Sequence, residues 1–572
     1  MDKFETITTD VLVIGSGGAA LRAALAAHDA GVDVLVVVKG KFGKSGASYY
    51  SVAEVGAFNV GDGAGDPEDS PDNHYRDIET AALGMADLRL SRILADEAER
   101  AMRDLEHYGV EFERRDGKYL VYQACFSVRP RSHVIKNHFK PIVKALGEEL
   151  LRRGVPVMEQ IMVTNLIVRD GECLGAYAMD ADGKHYVIRA KSTVLTVGGA
   201  SHLFKFNLYP PDITGDGYAA AFRAGARMTN MEFMQAGVSV VSPFINLFNN
   251  FLWEAPPRLT NRLGETFLEK YLEPGVTAEQ VIRTKAGHFP FSSRDESRYI
   301  EIAIHKESHS GNAFENGGIA IDFRDVDFET VLADRNSGIG RMWPITYEWY
   351  KERKADLYKD SIYVVCSAHA VNGGVLIGPE AESSIKGLFA AGEVASGPHG
   401  ADRLGGNMSV TCQVFGRRAG ENAGKRAKVM SSHPPVRELF EEERAYLSQF
   451  KGAGKYSVNE LKRKLQDLSD RYLLIVRTEQ GLNTYLREVE ALREQLRNET
   501  AIAGARDLQR TLELDNLLET GRLMASAALL RKESRGSHYR EDYPAMDPAY
   551  DRNIIADRNA DETFFFHKLN PA

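Results

Sequence analysis

Apolar residues run together near the start of the chain. Beyond Met430 they recur at helical spacing between charged residues. Asp10–Ile14 is a short apolar run. Gly15-Ser16-Gly17-Gly18-Ala19-Ala20 follows, then an alanine-rich stretch to about Ala30, a stop at Gly31 and a second apolar run, Val34–Val38. This order predicts strand, helix and strand, with G-x-G-x-x-A at the first turn. Leu88–Tyr108 and Ser132–Leu151 have helical spacing, and His133 and His138 lie in the second. Val155–Val168, Glu172–Met179 and His185–Arg189 read as strands of a meander. Thr193–Val197 is a further strand, ending in Gly198-Gly199-Ala200. Asp62–Asp72, rich in Gly, Asp and Pro, reads as a surface loop. Ile319–Phe323 and Leu388–Ala391 are short apolar strands, and the latter runs into Gly392-Glu393. Gly405-Gly406-Asn407 opens an apolar helical run. Pro434-Pro435 marks a linker, after which Val458–Tyr472, Gly481–Asn498 and Arg506–Leu530 read as amphipathic helices.

The first turn carries chemistry. Glycines there let the backbone meet a pyrophosphate, and the following helix N-terminus stabilises its charge. An acidic residue normally ends the second strand and holds the ribose. Val38-Lys39 stands there instead, and with Lys41 and Lys44 it leaves a 2′-phosphate open as an alternative. No second glycine turn of this kind exists for a nicotinamide cofactor.

Composition narrows the class. The chain has 572 residues, too many for one core. A net charge of -9 argues against a nucleic-acid partner. Met1-Asp2-Lys3-Phe4-Glu5 shows no signal-peptide pattern. Gly237–Trp253 is uncharged but contains Pro243, Asn246, Asn249 and Asn250, so it reads as buried protein and not as a membrane insertion. Cys125, Cys173, Cys366 and Cys412 lie far apart without a C-x-x-C pair. This excludes the common iron–sulfur and zinc motifs and suits thiols in a reducing cytoplasm.

Gly387–Arg418 strongly resembles the C-terminal flavin signature of the succinate dehydrogenase/fumarate reductase flavoprotein family. It contains Ala391-Gly392-Glu393, His399-Gly400-Ala401-Asp402-Arg403-Leu404 and a helix start at Gly405, Gly406, Asn407, Met408 and Ser409. Asp402 replaces the family's asparagine. Further matches are Ser45-Gly46-Ala47-Ser48, Gly198-Gly199, Thr214-Gly215-Asp216-Gly217 and Arg531–Pro544, which nearly reproduces the family's closing signature. The resemblance covers Thr8–Ala236 and Gly287–Pro544. It implies an α/β fold with a Rossmann-like FAD-binding domain, an inserted α+β capping domain and a C-terminal helical domain. The expected division is 1–236 and 351–430 for the FAD domain, 237–350 for the cap and 431–572 for the helical domain and tail.

The same resemblance implies FAD held by Gly15, Gly17, Gly18, Ala19, Ala20, Lys39, Ser45–Ser48, Gly198, Gly199, Asp216, Gly392, Glu393, Arg403 and Gly406–Ser409. Gly46 stands where membrane-bound members carry the histidine that links the flavin, so the cofactor should be non-covalent. Catalysis is expected from Arg403, Arg294 and His369, acting on a small carboxylate substrate, with Arg403 as proton donor and Glu254 as its relay. Hydride would pass between flavin N5 and the substrate, as C=C reduction or CH–CH dehydrogenation. The family's His-Pro-Thr-Gly is replaced by Ala236-Gly237-Val238-Ser239, which predicts weak activity with succinate and fumarate. Alternatives are an aspartate-oxidase-like amino-acid oxidase, an adenylylsulfate-reductase-like flavoprotein, or an FAD electron-transfer subunit without turnover of its own. A separate iron–sulfur or other electron-transfer subunit is an expected partner.

Overall fold

Val11, Leu12, Val13 and Ile14 are almost fully buried, as are Val34 to Val38. These runs lie side by side in a parallel arrangement covered on both faces, which is why they lack polar alternation. The structure, a computed structural model, describes residues 4–50, 55–433, 440–558 and 562–570. The chain start at Met1–Lys3 and the expected linker at Pro434-Pro435 lie outside the described residues. Phe4–Ile14 pairs in parallel with Val34–Val38 on one side and His185–Leu195 on the other. Val157–Glu159 extends one edge, and Glu172–Asp180 and Ile161–Arg169 continue antiparallel on the other. Leu388–Ala390 joins the end of His185–Leu195 in parallel. Residues far apart in sequence thus build one sheet.

Two helices start at the mouth of this sheet and pack closely, Gly18–Asp29 and Asn407–Val429. Their approach depends on glycines spaced one helical turn apart. A Cβ on Gly416 would lie 2.7 Å from the Ala19 carbonyl oxygen, and one on Gly420 2.1 Å from that of Ala23. Either distance is inside van der Waals contact, so only glycine permits this packing.

Four local expectations change. Ser132–Leu151 is not one helix. Ser132–Ile135 is a strand paired with Gly56–Asn59, and the helix spans Lys140–Arg152. Asn137 and His138 have φ of 59° and 68°, which a helix cannot continue through, and Pro141 suits the first turn that follows. His185–Arg189 and Thr193–Val197 form one strand, because the intervening residues keep pairing with Thr9–Val11. Val155–Val168 is interrupted at Gln160, whose φ is 60°. Within Asp62–Asp72, Asp69 is buried against Arg131 at 2.8 Å, and Ser70 caps helix Pro71–Ala82 by accepting from Asn73 N–H.

A second, antiparallel sheet is ordered Asn246–Leu247, Met234–Ser242, Ile362–Val371, Ile319–Asp322 and Arg258–Thr260. It reaches beyond the interval 237–350 at both ends, because Met234–Ser242 needs Ile362–Val371 as its partner. Phe248, Phe251 and Trp253 are buried beneath it. Among the described residues no helix is long and apolar enough to cross a membrane.

Val458–Tyr472, Glu479–Asn498 and Ala505–Leu530 form the C-terminal helices. The segment after them ties this part to the rest. Arg540 donates to the carbonyls of Ala528 and Leu529 at the end of the last helix, and Arg531 pairs with Glu232 at 2.8 Å. Gly536 accepts from Ser293 N–H at 2.8 Å, and Ser537 Oγ donates to the Ala401 carbonyl at 3.0 Å. The loops that carry Arg294 and Arg403 are therefore held from the same side.

Candidate active site

A cavity of about 290 Å³ opens at the carboxyl ends of the parallel strands and runs to the second sheet. This is where open α/β sheets bind ligands. One end is lined by Gly15, Gly17, Gly18, Ala19, Lys39, Ser45, Gly46, Ala47, Ser48, Gly198 and Asp216. Gly15 has φ of 122°, and a Cβ there would lie 2.4 Å from the Thr196 carbonyl oxygen. Gly18 N–H donates to Ser48 Oγ at 3.3 Å. Ala20 is buried one position further along the helix and does not line the cavity.

Lys39 Nζ lies 2.7 Å from Asp216, 2.8 Å from Glu513 and 2.6 Å from Thr214 Oγ1. Burial works against its charge, but the two carboxylates outweigh burial and raise its pKa. A lysine committed in this way is not offered to a 2′-phosphate. Gly46, with φ of 81°, has nothing within 4 Å of where its Cβ would be, so the space beside it is open to a ligand.

The middle of the cavity is lined by Gly392, Glu393, Gly406, Met408, Ser409, Cys412 and Gln413. Gly199 lies behind it, because a Cβ there would meet Glu393 Oε1 at 2.1 Å. Asn407 does not line the cavity either. It is buried in bonds with Asn59 at 2.7 Å and His74 at 2.9 Å that hold the helix start. Gln413 is buried, with Nε2 on the Gly18 carbonyl at 3.2 Å and Oε1 left without a partner. A buried acceptor without a donor is costly, and a bound molecule with hydroxyl groups would satisfy it. Glycine turn, open space at Gly46 and unpaired acceptor together fit an elongated dinucleotide.

Glu393 accepts from Val371 N–H at 3.0 Å. Burial pushes its pKa up from 4.5 to about 7, against the opposing effects of that hydrogen bond and of Arg403. The folded state thus prefers the protonated form. Its contribution to stability is fully present below about pH 4.5 and is lost as pH rises through about 7. Glu393→Gln should flatten the pH dependence of the melting temperature of flavin-free protein across this window, read by calorimetry. An unchanged profile would assign the dependence to another group.

The far end is lined by Tyr122, Cys125, Tyr209, Leu247, Asn249, Asn250, Phe289, His369 and Arg403. Arg403 donates from Nε to Gln235 Oε1 at 3.0 Å and from Nη1 to the Leu404 carbonyl at 3.1 Å. Gln235 Nε2 donates back to the Arg403 carbonyl at 3.2 Å. Burial lowers the Arg403 pKa, opposed by Tyr209, Cys125 and Glu393. His369 stacks on Tyr209 with ring centroids 5.6 Å apart, and Nδ1 is 3.1 Å from the Tyr209 hydroxyl. Burial first, and Arg403 second, lower the His369 pKa to about 3, so the ring is neutral.

Two expected residues are elsewhere. Arg294 pairs with Asp402 at 2.8 Å and does not line the cavity. Glu254 accepts from Ile339 N–H at 3.1 Å at the start of helix Gly338–Glu352, and its raised pKa comes from burial there and not from Arg403. It is not brought together with Arg403, and the expected relay has no geometry. Ala236 to Ser239 form an interior strand off the cavity. Sequence reasoning missed Tyr209, Cys125 and Phe289, which sit in no glycine-marked motif, and Gln413, which lies within Gly387–Arg418 but was not singled out.

Fold and cavity define an α/β protein with an elongated, dinucleotide-sized site at the carboxyl ends of its parallel strands. Residues 10–409 match the FAD binding domain family, and residues 462–570 match the fumarate reductase flavoprotein C-term family. The chain is 33% identical to one of the subunits of the fumarate reductase (CoM/CoB) of Methanothermobacter marburgensis, covering 98% of this chain and 99% of that one. It is 28% identical to the L-aspartate oxidase of Vibrio cholerae, over 94% and 96%. The structure of Mycobacterium smegmatis Sdh1 in complex with UQ1 superposes with a TM-score of 0.85 at 27% identity, over 99% and 95% of the two chains. The chain belongs to the succinate dehydrogenase/fumarate reductase flavoprotein family and is an FAD-dependent oxidoreductase of that type.

Proposed function

We propose that the protein exchanges hydride between FAD and a carboxylate-bearing substrate held at the Arg403 end of the cavity. The observation that carries this is the buried Arg403, clamped by Gln235 and facing the cavity beside a neutral His369. FAD, when bound, supplies the hydride acceptor or donor. Arg403 binds and polarises the carboxylate through its planar fork. Its lowered pKa makes it a better proton donor than an exposed arginine. His369 keeps its ring position through the Tyr209 stack and offers a neutral imidazole to the same carboxylate. Phe289 and Leu247 exclude water from the reacting end.

A separate electron-transfer subunit is part of this reading, because the relative from Methanothermobacter is named as one subunit of its enzyme. A cytoplasmic location fits the four free thiols. Anaerobic reoxidation of the reduced holoprotein by a panel of α,β-unsaturated acids and by iminosuccinate tests the reaction type. Reoxidation by an unsaturated acid supports the proposal. Reoxidation by iminosuccinate alone would replace it with amino-acid oxidation.

The attachment of the cofactor is checked separately. Gly46 offers no nucleophile, so acid precipitation should release all the yellow colour. Flavin left on the denatured chain would overturn that.

A further inference from the structure

Arg294 is engaged along the Nε–Nη2 edge of its guanidinium, and its side chain is 22% exposed. Its Nε and Nη2 lie 3.1 and 2.8 Å from one oxygen of Asp402, and Nη2 also donates to the Ala81 carbonyl at 2.9 Å. Ser292 Oγ donates to the same carboxylate oxygen at 2.7 Å. The Asp402 side chain is 0% exposed and its other oxygen has no partner, so burial raises its pKa, opposed by Arg294 and Ser292. Arg294 is its counter-charge, and neither residue lines the cavity. Among the described residues, the lysines and arginines that line the cavity are Lys39 and Arg403. Lys39 is held at the dinucleotide end by Asp216 and Glu513. One cation therefore faces the reaction end.

The rest of that wall is uncharged. Leu247, Phe289, Tyr122 and Cys125 are apolar or weakly polar, and His369 is neutral. Asn249 Nδ2 is buried without a partner and offers one neutral donor. A second carboxylate placed against this wall would be buried without a counter-charge, which is strongly unfavourable.

We propose that Asp402 sets the substrate class. By holding Arg294 off the cavity, it leaves a site for an acid with one carboxylate and an uncharged remainder lying against Leu247 and Phe289. This rests on the reading that the Arg403 end holds a substrate carboxylate. The Arg294 guanidinium lies 4.5 Å from the Phe126 ring centroid, and Phe126 follows Cys125 of the cavity wall. A neutral residue at position 402 would leave this cation one side-chain layer from the cavity, free to serve a second carboxylate.

The test is equilibrium binding to the FAD-loaded protein, read from the perturbed flavin absorbance. Butyrate and crotonate carry one carboxylate, succinate and fumarate two. The parent protein should bind the first pair at least ~10-fold more tightly, the usual worth of one charge-assisted contact. Asp402→Asn, nearly the same in shape, should narrow or reverse that ratio by at least ~10-fold, with flavin content and melting temperature reporting its fold. An unchanged ratio in the folded variant overturns the role of Asp402. A parent that prefers the dicarboxylates overturns the single-carboxylate site and leaves the carboxylate reading standing. If no acid of either kind perturbs the flavin, both fail. The parent ratio decides the substrate class even if the variant does not fold.

Discussion

Arg403→Lys should lower turnover at least ~100-fold while flavin content stays at the parent level. That factor is the low end of what a positioned proton donor contributes. Lysine keeps the positive charge but loses the planar fork. It cannot donate to Gln235 and the Leu404 carbonyl while also presenting two parallel N–H groups to a carboxylate. Its shorter, flexible stem would also give up the fixed orientation that the Gln235 clamp provides. Single-turnover oxidation of the reduced protein, with flavin measured per chain, separates the two effects. Turnover at the parent rate would make this loop a flavin clamp and favour an electron-transfer role without chemistry of its own.

Gly15→Ala should act on the cofactor and not on turnover per bound flavin. A Cβ at this position meets the Thr196 carbonyl oxygen at 2.4 Å, and φ of 122° is unfavourable for any residue with a Cβ. The carbonyl cannot easily retreat. Thr196 is itself fixed by N–H and Oγ1 hydrogen bonds to the Ile14 carbonyl, at 3.0 and 2.7 Å. The turn must move, at a cost of roughly 1–3 kcal/mol, and the backbone that would face the pyrophosphate moves with it. The expected result is at least a ~10-fold weaker hold on FAD, measured by titrating stripped protein with the cofactor. Parent affinity would mean that the turn does not contact the dinucleotide.

The two variants probe parts of the site that differ in how far the sequence revealed them. The Gly15 turn was legible because its physics is local, with a buried strand, a glycine step and a helix start adjacent in the chain. The first two C-terminal helices were legible for the same reason, whereas Ala505–Leu530, expected to be amphipathic, is buried on nearly all sides from Thr511 to Ala528. Ser132–Ile135 was misread because β-branched residues in a short run also fit a helix face, and the break lies in the left-handed backbone of Asn137 and His138. Arg294 was legible as an arginine near the site, but its engagement by Asp402 is a contact between residues distant in sequence. Asp402 stood out as a departure, while its effect on cavity charge required the structure. Glu254 was expected beside Arg403 from the family resemblance, and the carboxylate instead holds a helix start. The Tyr209 stack on His369 joins two segments that share no pattern, so nothing in either could have announced it.

The central claim is that the Arg403 end recognises a carboxylate during hydride exchange. Its most direct test is rapid anaerobic mixing of the reduced holoprotein with α,β-unsaturated acids and with their matched amides, following flavin absorbance. The amides keep the carbon skeleton and the double bond but lose the charge. The account predicts that at least one acid reoxidises the flavin at least ~10-fold faster than its amide, the difference expected for a charge-assisted contact. Amides that react as fast as their acids would contradict it.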